Sequence, residues 1–229
     1  MRGCAKSGGV SPSPARVGTR SRPHSTKGNT LRIIPLPFEE GVFNHSCGRL
    51  DFDGKGLVTC RLAPNDPRVP HLKALGFRKV EVLVTFSGRG KGAAGTIAAN
   101  SDLDGCLALA SCFTHDRFHA DPLIPNALAD ELKRRWIENS FRGRADSIFV
   151  IRDNGVAGFC ICLPGVIDLI AVRPDCQRLG YGTRLVHAAF HKYKGIKVAV
   201  QAGNFPAMAL FRECGLREVS RKITLHLHS

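Results

Sequence analysis

Alternating and continuous apolar positions predict a compact α/β segment in the first half of the chain. The stretch VEVLVTF, Val80 to Phe86, alternates and is β-branched, which favours a strand. Asn65-Asp66-Pro67 places a capping residue ahead of proline and predicts the start of a short helix. Further apolar runs lie at Leu31 to Pro35 and at Gly56 to Leu62. Residues 31–88 are therefore expected to form a small N-terminal α/β lobe.

The second half predicts a longer mixed α/β order, assigned to one domain over residues 102–229. LALASCF, Leu107 to Phe113, is expected to be a strand that leads into an irregular loop. A helix is expected over Asn126 to Phe141, because Leu128, Leu132 and Trp136 recur at helical spacing. The later expectations are strands over 147–152, 156–163, 166–172, 197–201 and 220–227, with helices over 181–192 and after Asn204.

Two segments of low apolar content flank the lobe. Residues 89–101 are rich in Gly, Ala and Ser and are expected to be a linker. The GRGKG stretch at its start lacks the spacing of a phosphate-binding P-loop. Residues 1–30 carry six basic side chains and no acidic one, with almost no large apolar residue, and are predicted to be a disordered basic tail.

Composition narrows the class of protein. The 229 residues are 43% hydrophobic and 23% charged, as in soluble globular proteins, and no apolar run approaches the length of a membrane helix. Nine cysteines without a regular framework favour thiols in a reducing compartment, so the cytoplasm is the expected location. The net charge of +14 suits an anionic small molecule such as a nucleotide as readily as a polymer.

The stretch VIDLIAVRPDCQRLGYG, Val166 to Gly182, carries the candidate chemistry. Its order predicts a strand, a tight loop and a helix, with two glycines and two basic residues where the helix starts. A helix N-terminus offers unpaired N–H groups to phosphate, and glycine lets backbone approach a ligand. The pattern predicts a pyrophosphate cradle.

These residues carry a family resemblance. Gln177 to Gly182 resembles the Q/R-x-x-G-x-G/A motif of the GNAT superfamily of acetyl-CoA-dependent N-acetyltransferases. Asn204-Phe205-Pro206-Ala207, with Phe211 and Gly215-Leu216 behind it, resembles the N-x-x-A … Y … G-F pattern of that family. The resemblance implies a GNAT-type mixed central sheet flanked by helices, with acetyl-CoA as co-substrate and no metal.

A narrower resemblance covers most of the chain after residue 30. The segments RIIPLPFEEGVF, KALGFRKVEVLVTF, DRFHADPLIP and RRWIENSFRG are similar to bacterial dTDP-fucosamine acetyltransferases. Those enzymes acetylate the 4-amino group of dTDP-4-amino-4,6-dideoxy-D-galactose. The resemblance therefore implies a nucleotide-linked amino sugar as the acceptor.

The resemblance also assigns roles to residues. Arg117 is expected to pair with a nucleotide phosphate, while Glu138 and Asn139 are expected to reach sugar hydroxyls or to relay a proton. The cofactor-binding residues that it implies are Leu169, Ile170, Ala171, Val172, Gln177, Arg178, Leu179, Gly180, Tyr181, Gly182, Thr183 and Asn204.

One catalytic position departs from the family. Phe211 stands where the subfamily has a tyrosine that is thought to protonate the departing thiolate, and phenylalanine has no proton to give. The loss of a general acid typically costs about 10²–10⁴-fold. Tyr181 and Tyr193 are the only tyrosines in the chain, and neither is an evident replacement.

Several residue pairs have a plainer interpretation. His187 and His191 are four apart on one predicted helix, but without a third ligand they indicate a solvated face rather than a metal site. Cys160 and Cys162 are expected to face the same side of a strand in the core. Trp136 is expected to be a core residue of its helix. Cys176 and Cys214 are expected to be structural thiols.

The sequence thus predicts an acetyl-CoA-dependent N-acetyltransferase that acts on a small-molecule nucleotide sugar, with no membrane or nucleic-acid partner and with a homodimer left open. Three alternatives stay open. The acceptor could be another amine, such as a protein lysine or a polyamine; the chain could bind acetyl-CoA without catalysis, because of Phe211; or the basic tail could bind nucleic acid.

Overall fold

The computed structural model describes residues 32–35, 47–52 and 55–228, and the predicted tail over residues 1–30 lies outside them. Ten strands of the described chain form one sheet in the order β1-β2-β3-β10-β4-β9-β8-β7-β6-β5. These strands span Arg32–Pro35, Cys47–Phe52, Lys55–Leu62, Arg78–Arg89, Thr96–Ile97, Ser147–Arg152, Val156–Leu163, Val166–Val172, Gly195–Gln201 and Arg217–His228, as β1 to β10 in chain order.

Five α-helices of the described chain cover the sheet. They are α1 to α5 in chain order, at Val69–Ala74, Leu103–Ala108, Asn126–Asn139, Tyr181–Tyr193 and Phe205–Glu213. Short 3₁₀ turns lie at Asn100–Asp102, Leu109–Cys112 and Pro174–Cys176, and a π-type turn at Ser140–Arg144 follows α3. The mixed α/β fold predicted from the sequence is confirmed.

The predicted strand at Leu107 to Phe113 is wrong, because this stretch belongs to α2 and the 3₁₀ turn after it. The buried positions Cys106, Leu107 and Ala110 follow helical rather than strand spacing. They pack beside Ile137 of α3 against β6 and β7. A short apolar run without alternation fits either element, and here the packing partner decides.

The sheet is covered on both faces. On one face α4 and α5 pack on the middle strands through a core that includes Phe86, Phe190 and Phe211, and α1 covers the β3–β10 end through Leu72. On the other face, α2 and α3 pack on β6 to β8. The loop over residues 113–125 covers the β3–β10 end of this second face, where Phe118 contacts a cluster that includes Leu57.

The predicted N-terminal lobe and the later domain share this sheet. β4 lies between β9 and β10, so a strand from the first half of the chain is hydrogen-bonded on both edges to strands from the second half. The predicted linker over residues 89–101 contains β5, which pairs with β6. The predicted division into residues 31–88 and residues 102–229, as units that fold independently, stays a prediction.

The cysteines differ in their chemistry. Cys60 is disulfide-bonded, whereas Cys106, Cys112, Cys160, Cys162, Cys176 and Cys214 are free thiols. Cys160 and Cys162 are buried with their sulfur atoms 3.6 Å apart, which confirms that they share one face in the core. The expectation of thiols throughout is therefore wrong at Cys60. None of the helices among the described residues is long and apolar enough to cross a membrane.

Gly92, in the GRGKG stretch, has a packing role that yields a test. A Cβ at this position would lie 2.1 Å from the carbonyl oxygen of His187 and 2.2 Å from the amide nitrogen of His191, both in the backbone of α4. We expect Gly92→Ala to lower the free energy of unfolding by about 1–3 kcal/mol, because backbone cannot yield as a flexible side chain does. Urea denaturation followed by fluorescence of Trp136 measures the change.

Gly203→Ala is the matched control, since a Cβ there meets no atom within 4 Å. That variant should be unchanged or slightly stabilised, because alanine restricts the unfolded chain. Equal stability of the two variants would contradict the packing role of Gly92.

Candidate functional site

The divergence of β8 and β9 creates the site. The two strands are parallel and pair only at Val166 with Lys197 and at Ile167 with Val198. Beyond these pairs they separate, while β8 stays hydrogen-bonded to β7 on its other edge. The backbone of Leu169 to Ala171 therefore has no strand partner on the β9 side, and its polar groups are available to a ligand that lies in the gap.

The predicted cradle follows β8. Arg178 and Gly180 have φ of 65° and 77°, and Gly180 is the N-cap of α4. The left-handed turns bring the loop back so that the first N–H groups of α4, which have no partner within the helix, face outward. Arg178 and Leu179 are exposed beside them. This arrangement suits an anion, and the role of the loop as a pyrophosphate cradle stays a prediction.

The sequence suggests that Gly182 lets the backbone approach a ligand, but the structure gives a different reason for glycine at this position. A Cβ there would lie 2.9 Å from Cδ2 of Leu210 in α5. Glycine at 182 thus lets α5 approach the first turn of α4. Only Gly180 is required by its backbone conformation.

Asn204 lies at the N-terminus of α5. Its Oδ1 accepts a hydrogen bond from the backbone N–H of Ala207 at 3.2 Å, which makes it the N-cap of the helix. Asn204 also lines the cavity described next. Its side-chain nitrogen has no partner among the described residues, so one residue can cap the helix and still donate to a ligand.

A cavity of about 250 Å³ lies in the gap between β8 and β9 and extends over β4 to the 113–125 loop. Its walls combine the strand ends with charged and aromatic side chains. The lining residues used below are Arg61, Glu81, Asp116, Arg117, Lys133, Trp136, Ile170, Ala171, Asn204 and Phe211.

The acids of the cavity floor are engaged by donors. Glu81 is buried and accepts hydrogen bonds from Arg61 at 3.2 Å, from Thr224 at 2.8 Å and from Gln201 at 3.0 Å. Asp116 pairs with Lys133 at 3.2 Å, and both side chains are buried. The Lys133 ammonium lies 4.4 Å from the ring centroid of Trp136, and burial lowers the pKa of Lys133.

Arg117 differs from Arg61 and Lys133 in its pairing. No carboxylate among the described residues forms an ion pair with it, and its Nε is buried without a hydrogen-bond partner. Its guanidinium lies over the ring of Phe118, 4.6 Å from the centroid. Burial, followed by repulsion from Arg61, lowers the pKa of Arg117 to about 10, so it remains charged at neutral pH. The cavity therefore offers an unpaired positive charge to an anionic ligand.

Phe211 faces the cavity from α5. It is 1% exposed, and its ring centroid lies 6.0 Å from that of Phe86. Both tyrosine hydroxyls are bound elsewhere, Tyr181 to Asp153 and Tyr193 to Asp146. The hydrogen bond to Asp153 and burial raise the pKa of Tyr181, which strengthens its hold on the proton. Neither tyrosine replaces a hydroxyl at position 211.

The structure brings together some predicted residues and separates others. Arg117, Asn204, Phe211 and the end of β8 meet at the cavity, whereas Glu138 and Asn139 are not among its described lining residues. Glu138 lies 3.6 Å from Arg142, and Asn139 is exposed. Trp136, predicted as core, is half-buried at the cavity wall.

Sequence reasoning missed Glu81 and Lys133. A signal for Glu81 was present, because it is the single charge in the alternating VEVLVTF run. Its side chain shares a face with Leu83, and both line the cavity, while Val84 and Phe86 belong to the core on the opposite face. Lys133 carried no such signal, since a lysine in an amphipathic helix is ordinarily exposed.

Comparison with known proteins agrees with this geometry. Residues 115–216 match the acetyltransferase (GNAT) family. The chain is 28% identical over 127 residues to the spore coat polysaccharide biosynthesis protein SpsD of Bacillus subtilis, a match that covers 48% of this chain and 42% of that protein. The chain thus aligns with less than half the length of this curated relative.

Solved structures share the fold. A GCN5-related N-acetyltransferase from Sphaerobacter thermophilus superposes with a TM-score of 0.52 at 16% identity, over 75% of this chain and 60% of that one. A protein of unknown function from Staphylococcus epidermidis gives a TM-score of 0.52 at 15% identity, over 71% of this chain and 67% of that one. At these identities the likeness concerns the fold alone.

The cradle conformation yields a second test. Gly180→Ala places a Cβ at φ of 77°, which costs about 1–2 kcal/mol, whereas Gly180→Asn is better tolerated there. We expect the alanine variant to bind coenzyme A several-fold more weakly by calorimetry, with the asparagine variant between it and the unmodified protein. Unchanged affinity in the alanine variant would show that the loop does not hold the ligand.

Proposed function

We propose that this chain, whose residues 115–216 match the acetyltransferase (GNAT) family, transfers the acetyl group of acetyl-CoA to the amine of a nucleotide-linked amino sugar. The 4-amino group of a dTDP-linked 4-amino-4,6-dideoxy sugar is the acceptor that the sequence resemblance favours. The observation that carries the proposal is the unpaired Arg117 in the cavity that opens onto the free edge of β8.

The residues around β8 fit acetyl-CoA. The N–H groups at the start of α4 would bind its pyrophosphate, and the free backbone edge at Leu169 to Ala171 would pair with its pantetheine arm. When bound, acetyl-CoA supplies an activated thioester carbonyl. A backbone N–H at the end of β8 would donate to the carbonyl oxygen as charge develops there. Asn204 has a side-chain nitrogen free to donate to the same ligand.

The acceptor side of the cavity fits an anion joined to an amine. Arg117 would bind a phosphate of the nucleotide, because a guanidinium offers several donors to phosphate oxygens. Trp136 supplies an aromatic surface next to Lys133. A polyamine has no anionic group for Arg117, and this favours the nucleotide sugar over it. The name of SpsD, a polysaccharide biosynthesis protein, supports a sugar in the same way.

The reaction needs two proton transfers, one from the acceptor ammonium and one to the departing thiolate, and they lie on two sides of the cavity. Glu81 is a carboxylate on the floor, and we assign it the role of attracting the acceptor ammonium and receiving its proton. The donors Arg61, Thr224 and Gln201 keep the carboxylate oriented. On the other side Phe211 offers no proton to the departing thiolate. A thiol of ordinary pKa, about 8.5, leaves near neutral pH with less help than an alkoxide needs.

The test of the proposal is an acetyl-transfer assay with a panel of acceptors. We expect free thiol to be released from acetyl-CoA with dTDP-4-amino-4,6-dideoxy-D-galactose, and not with spermidine or a lysine peptide. Mass spectrometry of the product should show one added acetyl group. Thiol release with the peptide alone would favour a protein acceptor, and no release above background with any amine would contradict the proposal.

Arg117→Met separates acceptor binding from cofactor binding. Methionine keeps apolar bulk against Phe118 but removes the charge. The loss of a charged hydrogen bond costs about 1.5–3 kcal/mol, so KM for the nucleotide sugar should rise at least about tenfold. KM for acetyl-CoA should stay unchanged. An equal rise in both constants would mean that Arg117 acts on the cavity as a whole.

Phe211→Tyr tests the missing general acid. If protonation of the thiolate limits the rate, a hydroxyl at this position should raise kcat several-fold, within the roughly 10²–10⁴-fold that such groups contribute. Phe211→Leu is the control, because it alters packing against Phe86 without adding a proton. A rise in kcat with tyrosine alone supports the role, whereas no rise shows that another step limits turnover.

A further inference from the structure

A buried cluster of one carboxylate and two imidazoles lies outside the catalytic residues assigned above. Asp121 belongs to the 113–125 loop, whereas His226 and His228 lie two apart on β10 and so point to the same face of the sheet. Nδ1 of His226 and Nε2 of His228 each lie 2.7 Å from the same oxygen, Oδ2 of Asp121. The three candidate ligand atoms all lie within 4.8 Å of one another.

The surroundings hold these atoms in place. Oδ1 of Asp121 accepts a hydrogen bond from the backbone N–H of Leu123 at 3.0 Å, so Oδ2 is left to face the imidazoles. Carboxylates that bind metals are ordinarily anchored in this way through their second oxygen. The His226 side chain has no exposed surface and that of Asp121 is 4% exposed, whereas 28% of His228 is accessible. The cluster is therefore rigid on one side and open to solvent on the other.

One nitrogen of the cluster lies outside these hydrogen bonds. Nε2 of His226 is buried and has no hydrogen-bond partner. With Nδ1 protonated, this atom is an acceptor without a donor; with Nδ1 bound to a metal, it would carry the proton of the neutral imidazole.

We propose that Asp121, His226 and His228 bind a divalent transition metal of the Zn²⁺ class. Zn²⁺ and similar ions bind a set of two imidazoles and one carboxylate more readily than Mg²⁺ or Ca²⁺ does. An ion about 2.0–2.2 Å from each atom would replace the hydrogen bonds and separate the nitrogens from Oδ2 to about 3.3 Å. The fourth position faces the accessible side of His228 and takes water.

The role of this metal would be to fasten the 113–125 loop to β10. Asp121 is four residues from Arg117, and Phe118 of the same loop packs with its ring centroid 6.2 Å from that of His226. The metal thus joins the segment that lines the cavity to the last strand of the sheet. This role does not depend on which amine the chain acetylates.

The first experiment measures binding by the full chain, stripped of metal with EDTA and dialysed. We expect one Zn²⁺ per chain by equilibrium dialysis and mass-spectrometric metal analysis, with none for Mg²⁺. Co²⁺ should give visible absorption bands of an N₂O site without the thiolate charge-transfer band that cysteine ligands produce. Excess Zn²⁺ should raise the melting temperature by about 5 °C.

Two variants locate the site. His228→Gln can still donate a hydrogen bond to Asp121 but is a poor metal ligand, so it should fold, lose the bound metal and show no shift in melting temperature with Zn²⁺. His187→Ala with His191→Ala, the histidine pair on α4, is the control and should keep one metal per chain. The proposal is overturned if the unmodified protein binds no Zn²⁺, if thiolate bands dominate, or if His228→Gln binds as well as the control.

Discussion

The fold and the site both depend on the separation of two parallel strands. β8 and β9 form two residue pairs and then diverge, which leaves backbone polar groups without partners at the centre of an otherwise continuous sheet. Unsatisfied backbone groups are costly when buried, so the gap is stable only where water or a ligand fills it. The α4 and α5 helices lie close together beside this gap, because glycine at 182 leaves room for Leu210 of α5 at the first turn of α4. A ligand that adds a strand-like segment here completes the sheet.

The cavity next to this gap is polar at a depth where proteins are usually apolar. Glu81, Asp116 and Lys133 are all buried, and each is held by an opposite charge or by several hydrogen bonds. Such groups contribute little net stability, because their desolvation offsets their attraction. Their arrangement is therefore better explained by a ligand than by folding. Arg117 supports this view, since no carboxylate among the described residues forms an ion pair with it and its buried Nε has no hydrogen-bond partner.

Sequence reasoning succeeded where one local pattern determined the structure. The strands at Val156 and Val166 and the turn into the helix at Tyr181 depend on alternation and on glycine, and all were predicted closely. It failed at Leu107 to Phe113, where the packing partner decided between helix and strand. The position of β4 between β9 and β10 depends on long-range pairing, which no local pattern encodes. The Asp121 cluster was missed for the same reason, because Asp121 lies 105 residues before His226 in the chain.

The position of β10 in the sheet also affects how the chain folds during its synthesis. This last strand pairs with β3 and β4, and its Thr224 donates to Glu81, 143 residues earlier in the chain. During synthesis, β4 is made long before β9 and β10, so until those strands follow it both of its edges lack their partners. Contacts of such long range form slowly, and an open strand edge can pair with another chain in the interval. Cellular yield should therefore depend more on chaperones during translation than the stability of the finished protein suggests.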